Sequence, residues 1–239
     1  MMNKFTLICA SAFTILLTAC SQGQPAGIET ASAPQAAGVN TASSDSGASS
    51  GTTLAGGTQG SGTDVAGTES AIFAGGCFWC IESDFEKLDG VVSVVSGYTG
   101  GETTDPNYQQ VSYTETGHYE AVEVVYESNK LSYDEILTYF WTHIDPTDPH
   151  GQFCDKGSSY RTAIFTTPEQ FALAKASKEN IISTKPFVGD IVTPILPAQT
   201  FYKAEEYHQD YYKKNPVRYN AYRRGCRRDA RVKQLWGDK

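Results

Sequence analysis

Four thiols and one strand-borne carboxyl are the groups in this 239-residue chain best placed to do chemistry. Two of the thiols, Cys77 and Cys80, stand three apart in the stretch SAIFAGGCFWCIE, residues 70–82. Ala71-Ile72-Phe73-Ala74 is a short apolar run of strand type. Gly75-Gly76 breaks it, and Phe78, Ile81, Phe85 and Leu88 then recur at helical spacing. A strand, a glycine turn and a helix put Cys77 at the helix start, where unpaired backbone N–H groups and the positive dipole end favour an anion. A thiol held there ionises more readily, and the thiolate is the nucleophile. Cys77 is thus read as an activated cysteine flanked by two large aromatic side chains, Phe78 and Trp79. The alternative is a structural cysteine buried between core aromatics; the double glycine and the second thiol favour function.

The carboxyl is Glu120. The segment 118–126, HYEAVEVVY, is strand-like, so Glu120 shares a face with Val122 and Val124 while Glu123 shares the other with Ala121 and Val125. Burial on an apolar face raises a carboxyl pKa and keeps a proton at hand near neutrality. Glu120 is a candidate general acid, against the alternative of a strand-end glutamate reaching solvent.

The remaining thiols are less pointed. Cys154 falls in the loop 145–155, DPTDPHGQFCD, whose mixture of ligand types has no metal-site spacing and reads as a proline-pinned loop. Cys226 lies between arginines in RRGCRR, which would lower its pKa and suit thiol–disulfide exchange. A zinc module would need a second close pair of cysteines. The sequence carries no metal, flavin or nucleotide motif, so no bound cofactor is expected. His143 reads as a packed histidine, and the cluster Glu205, Glu206, His208 as a solvated helix face.

The elements around these residues occupy only part of the chain. Lys4 precedes an apolar run from Phe5 to Leu17, too short to span a bilayer and right for a signal h-region. It ends in Leu17-Thr18-Ala19-Cys20, which resembles the lipobox of bacterial lipoproteins. That resemblance implies a signal at 1–19 removed with Cys9, acylation of Cys20, membrane anchoring outside the cytoplasm and, with Ser21 next, the outer membrane. An ordinary signal peptide is the alternative. Between Thr41 and Thr68, 23 of 28 residues are Gly, Ala, Ser or Thr, so residues 20–69 form a flexible tether with a mean span of roughly 40 Å. Residues 70–239 suit one domain. Outside the cytoplasm, four thiols in one domain suggest bridges or redox chemistry.

The net charge of −8 hides a split: residues 70–212 hold 21 acidic and 8 basic side chains, residues 213–239 hold 2 and 10. The basic end is read as a solvated terminal helix, with anionic lipid headgroups as the alternative partner. Nucleic acid is not expected, and a monomer is.

From residue 70 the expected elements are a strand, a helix over 78–88, a strand at 91–95, a turn-rich loop ending at Tyr108, and the strand bearing Glu120. A capping box at Ser132–Glu135 opens the next helix. A strand at 160–166, a helix from Pro168 to Ser183, a strand at 190–195 and a helix over 204–214 follow. The first six elements fit a split β-α-β arrangement, so the fold class is α+β.

Gly76-Cys77-Phe78-Trp79, with GYTGG at 97–101, GHYEAV at 117–122 and DKGSSYR at 155–161, closely resembles the A-type peptide methionine sulfoxide reductases. The resemblance runs from about Ser70 to Pro216 and implies a ferredoxin-like α/β roll with helices packed on a mixed sheet. It implies that Cys77 attacks the sulfoxide sulfur, that Phe78 and Trp79 wall a pocket for the substrate methyl group, and that Glu120 protonates the oxygen. Tyr108, Tyr160 and Asp155 would complete the polar side. The product is a sulfenic acid on Cys77, condensed by a second thiol into a disulfide that an external thioredoxin-like dithiol reduces. The substrates implied are oxidised proteins, with free methionine sulfoxide and preference for the S epimer carried by resemblance alone.

The chain departs from that pattern at Cys80, where the family commonly has glycine, and in its tail, where the usual glycine-rich resolving segment is replaced by the arginines around Cys226. Cys226 is the favoured resolving thiol at this stage, with Cys80 and Cys154 as alternatives. A general thiol–disulfide oxidoreductase built on Cys77 and Cys80 is the competing reading. It would need neither Glu120 nor the aromatic pair. A peptide-binding lipoprotein with inert, paired thiols is another.

Overall fold

The structure, a computed structural model, describes residues 67–238. The expected signal segment, Cys20 and all but the end of the tether lie outside the described residues. The elements run β1 (Thr68–Gly75), α1 (Phe78–Phe85), β2 (Val91–Thr99), α2 (Tyr108–Tyr113), β3 (Tyr119–Glu127) and α3 (Tyr133–Trp141). A small hairpin of β4 (Gly151–Gln152) and β5 (Asp155–Lys156) precedes β6 (Thr162–Thr166) and α4 (Pro168–Thr184). Then come β7 (Ile195–Pro197), β8 (Tyr202–Lys203), α5 (Tyr211–Lys214), α6 (Pro216–Gly225) and α7 (Arg228–Trp236).

Six strands form one sheet in the order β7-β6-β1-β3-β2-β8, in which β6 and β7 are parallel and the other pairs antiparallel. Its centre, β6-β1-β3-β2 with α1 and α3, is the split β-α-β unit expected from the sequence. The larger core lies on one face of the sheet. There Phe73 stacks on Phe85 of α1 and Phe140 of α3 at 5.2 and 4.8 Å, and Val122 and Val124 of β3 are fully buried. Alternation therefore turns Glu120 into this core and Glu123 away from it. The capping boxes at Ser132–Glu135 and Thr167–Gln170 form as the residue types require.

Four expectations need correction. Helix α1 stops at Phe85 rather than Leu88, because the Asp89-Gly90 turn, with Gly90 at φ +92°, reverses the chain into β2. The strand expected at 190–195 is an extended connection that joins the sheet only at Ile195. The helix expected over 204–214 is reduced to α5, since Glu205, His208 and Gln209 bond other parts of the molecule and Asp210 at φ +53° breaks the turn. The basic end is not one solvated helix but two, broken at Arg227 (φ +56°), with Arg228 only 2 % exposed.

Candidate active site

The double glycine sets the position of Cys77. Gly76 has φ +83°, and a Cβ there would sit 2.5 Å from the Gln152 Cβ, so the turn admits glycine alone without displacing the 145–152 loop. Gln152 is itself pinned, accepting from the Asp145 N–H and donating to the Asp145 carbonyl. Cys77 is the N-cap of α1, as expected, and is buried.

The first backbone donor of the helix does not point at the thiol. Phe78 N–H donates to Glu120 Oε2 at 3.1 Å, and the N–H groups of Cys80 and Ile81 turn back to the Cys77 carbonyl. The first free N–H of the helix terminus is therefore taken by the Glu120 carboxyl and not by the thiol. Burial above all, and then the neighbouring Cys80, push the Cys77 thiol well above the ordinary thiol value; Glu120 adds to this once ionised, and the Tyr222 hydroxyl beside the sulfur acts the other way. The expected resting acidity of Cys77 is thus not found. Cys80, by contrast, is drawn below the usual value by its hydrogen bond with Cys77 and by the guanidinium groups of Arg228 and Arg223.

Glu120 is 2 % exposed, and burial pushes its pKa up to about 8, with the Phe78 N–H and the Tyr160 hydroxyl acting in the opposite direction. It carries a proton at neutral pH. Tyr160 in turn hydrogen-bonds Tyr108. A cavity of about 80 Å³ gathers Cys77, Phe78, Trp79, Tyr108, Glu120, Asp155 and Tyr160, every candidate on the substrate side, and adds Tyr222. Three larger clefts, of about 300 to 440 Å³, have neither Cys77 nor Cys80 in their walls.

The third group of thiols resolves differently from expectation. Cys154 and Cys226 form a disulfide, which leaves Cys77 and Cys80 as the free cysteines among the described residues. The pair ties the β4–β5 hairpin to the junction of α6 and α7. Cys226 is occupied in this form, and the thiol beside Cys77 is Cys80.

Several residues of the site hold places that the sequence did not assign to them. The Trp79 indole N–H donates to His208 Nδ1 at 3.0 Å, and the indole stacks on Tyr211 at 3.7 Å. His208 is 2 % exposed and burial drops its pKa to about 4, so it is a neutral acceptor and not part of a solvated face. Glu205 accepts from the Tyr98 hydroxyl and from the Tyr108 N–H at 2.8 Å, tying α2 to β2. The Tyr222 hydroxyl bonds Asp155. The signal that could have found them is the density of Tyr, His and Glu in 205–222, too rich in aromatics for a solvated face.

Similarity to known proteins points to one family. A family model described as peptide methionine sulfoxide reductase matches residues 69–239. The chain is 54 % identical over 170 residues to peptide methionine sulfoxide reductase MsrA 2 of Caulobacter vibrioides, covering 71 % of this chain and 86 % of that one. It is 49 % identical over 172 residues to MsrA of Bacillus subtilis, covering 72 % and 97 %. Among solved structures it resembles Mxr1 of Saccharomyces cerevisiae in reduced form, with a TM-score of 0.59 and 33 % identity over 64 % of this chain and 88 % of that one. With the family model spanning nearly all of the described residues and relatives near 50 % identity, the chain belongs to the peptide methionine sulfoxide reductase family.

Proposed function

We propose that the chain reduces methionine sulfoxide in proteins, and as the free amino acid, to methionine. The observation that carries this is the buried Glu120 carboxyl, accepting at 3.1 Å from the N–H of the residue after Cys77, inside one small aromatic cavity. A sulfoxide oxygen leaves poorly unless protonated, so a sulfur nucleophile and a proton donor must face the same substrate atom pair. Cys77 Sγ attacks the sulfoxide sulfur while Glu120 gives its proton to the oxygen. The hydroxyl then passes from the substrate sulfur to Cys77 Sγ as the sulfur–oxygen bond and the new sulfur–sulfur bond both break, leaving a sulfenic acid on Cys77 and the free thioether. Phe78 and Trp79 enclose the methyl group, and Tyr108 and Tyr160 hydrogen-bond the oxygen.

Cys80 takes the resolving role. Its sulfur lies against Cys77, it carries the more acidic thiol, and Cys226 is already bonded to Cys154. Attack of Cys80 on the sulfenic sulfur releases water and forms a Cys77–Cys80 disulfide, which an external thioredoxin-like dithiol reduces by exchange. A simple thiol–disulfide oxidoreductase would leave the buried Glu120 without a task.

The Leu17-Thr18-Ala19-Cys20 pattern and the tether after it support a lipid-anchored protein outside the cytoplasm, at the outer membrane. Cys20→Ser should move the protein from the membrane to the soluble fraction.

The test of the activity is stoichiometric. Reduced protein mixed with a methionine sulfoxide peptide should lose two thiols, at Cys77 and Cys80, per sulfide formed. Peptide mapping that finds no sulfide, or a new bridge elsewhere, would overturn the reading.

A further inference from the structure

Cys77 rests as a thiol, yet the attack on the sulfoxide needs its sulfur without the proton. That proton must leave by some group in contact with the sulfur. The titratable groups facing Cys77 are Cys80, Glu120, Tyr108 and Tyr222. Glu120 is itself the donor to the substrate, and Tyr108 is bonded to Tyr160 within the same donor set. Cys80 belongs to the resolving step. Tyr222 is different, because its hydroxyl donates to Asp155 Oδ2 while its oxygen faces the Cys77 sulfur as an acceptor.

The chain holds this connection from both ends. Asp155 directly follows Cys154, and Tyr222 lies one helical turn before Cys226, whose N–H donates to the Tyr222 carbonyl at 2.9 Å. The disulfide thus joins the two short segments that carry the hydrogen-bonded pair. The Tyr222 ring also packs edge-on against Trp79, with centroids 6.0 Å apart. Burial holds the Asp155 carboxyl above the ordinary aspartate range, against the Tyr222 hydrogen bond and the charges of Arg228 and Lys156, so it is a ready proton acceptor.

Resting on the proposed activity, we propose that Tyr222 and Asp155 form the outlet for the Cys77 proton, and that the Cys154–Cys226 disulfide holds that outlet in line. During attack the Cys77 proton passes to the Tyr222 oxygen as the Tyr222 proton passes to the Asp155 carboxylate. The Glu120 proton goes to the sulfoxide oxygen. Asp155 therefore gains one proton and Glu120 loses one, and both are restored from solvent before the next turnover. The two electrons lost by Cys77 are those gained by the sulfoxide sulfur. Separate entry and exit groups keep Glu120 protonated while Cys77 is being deprotonated.

The experiment is single-turnover sulfide release from a methionine sulfoxide peptide by the full chain, followed against pH for wild type, Tyr222→Phe, Asp155→Asn and Cys154→Ser/Cys226→Ser. Tyr222→Phe and Asp155→Asn should each slow the first turnover about 10²-fold at neutral pH, the size of a lost proton-transfer group. The half-saturating peptide concentration should hold, and the deficit should shrink as hydroxide rises. The double cysteine variant should show a smaller loss with the same recovery at alkaline pH. A wild-type rate in Tyr222→Phe at every pH, or a deficit that does not change with pH, would overturn the outlet. Should Tyr222→Phe fold poorly by circular dichroism, Asp155→Asn decides alone by the same two outcomes. Failure of wild type to release sulfide would strike the proposed activity instead.

Discussion

Glu120 and Phe78, 42 residues apart in sequence, are joined by a hydrogen bond from the Phe78 N–H to the Glu120 carboxyl at 3.1 Å. The start of α1 therefore serves the acid as well as the thiol, and a change at residue 120 should be felt in both stability and chemistry.

The raised pKa of Glu120 has a definite sign for stability. The folded chain holds this proton up to about pH 8, while the unfolded chain releases it at the ordinary glutamate value. Stability conferred by the neutral carboxyl is full below the unfolded value and is lost as pH rises toward 8. Glu120→Gln removes that dependence, so in urea titrations its stability relative to wild type should rise from pH 4.5 to pH 8, by on the order of a few kcal/mol. Glu82, raised to about 7 by burial, adds a slope of the same sign that both proteins share. In single turnovers Glu120→Gln should be slower by about 10²-fold at neutral pH, and should lack the fall above pH 8 that marks loss of the acid.

Cys80→Ser should release close to one equivalent of sulfide in the first turnover and then stall. Steady-state turnover with a thioredoxin-like reductant should drop by on the order of tenfold, with a dimedone-trappable sulfenic acid left on Cys77. Rapid multiple turnover without that adduct would return the resolving role to another thiol.

His208 orients Trp79 through one hydrogen bond in a buried setting. His208→Ala should cost about 1 kcal/mol of stability. KM for a peptide substrate should rise several-fold with kcat little changed, since the indole forms a wall and not a reacting group. A drop in kcat alone would argue that His208 touches the chemistry.

Asp84 lies between Arg223, at 2.8 Å, and Arg228, at 3.5 Å, all three largely buried. Arg228→Met leaves that carboxylate underpaired and takes donors from the carbonyls of Gly75 and His143. A loss of about 3–5 kcal/mol follows, lowering Tm by roughly 10 °C in calorimetry. The same variant should raise the pH at which Cys80 reacts with iodoacetamide, because one of the two guanidinium charges facing it is gone.

Much of the site was legible because strand alternation and a glycine break are local signals. Period-two patterning placed Glu120 inward with Val122 and Val124, and the Gly75-Gly76 break placed Cys77 at the N-cap. What stayed hidden depends on long-range partners. The raised pKa of Cys77 turned first on its burial and then on Cys80 and the Glu120 carboxyl packed beside it. The roles of Glu205, His208 and Tyr222 turned on a 205–222 segment whose polar side chains bond β2, Trp79 and Asp155 rather than solvent. The Cys154–Cys226 bridge spans 72 residues and has no local signature. The fold was the easier part, since its four central strands and two crossover helices each read from their own periodicity.

The arginine-rich end folds its charge inward. Of its ten basic side chains, Lys213, Lys214, Arg223, Arg228, Arg231 and Lys233 lie within ion-pair distance of carboxylates of the same chain. Most of what composition alone would offer to a phospholipid or polyanion is thus neutralised from within. The molecule should behave on an ion exchanger as an acidic protein throughout, and its final two helices act as a fastening packed against Cys77 and Cys80 rather than as an adhesive patch.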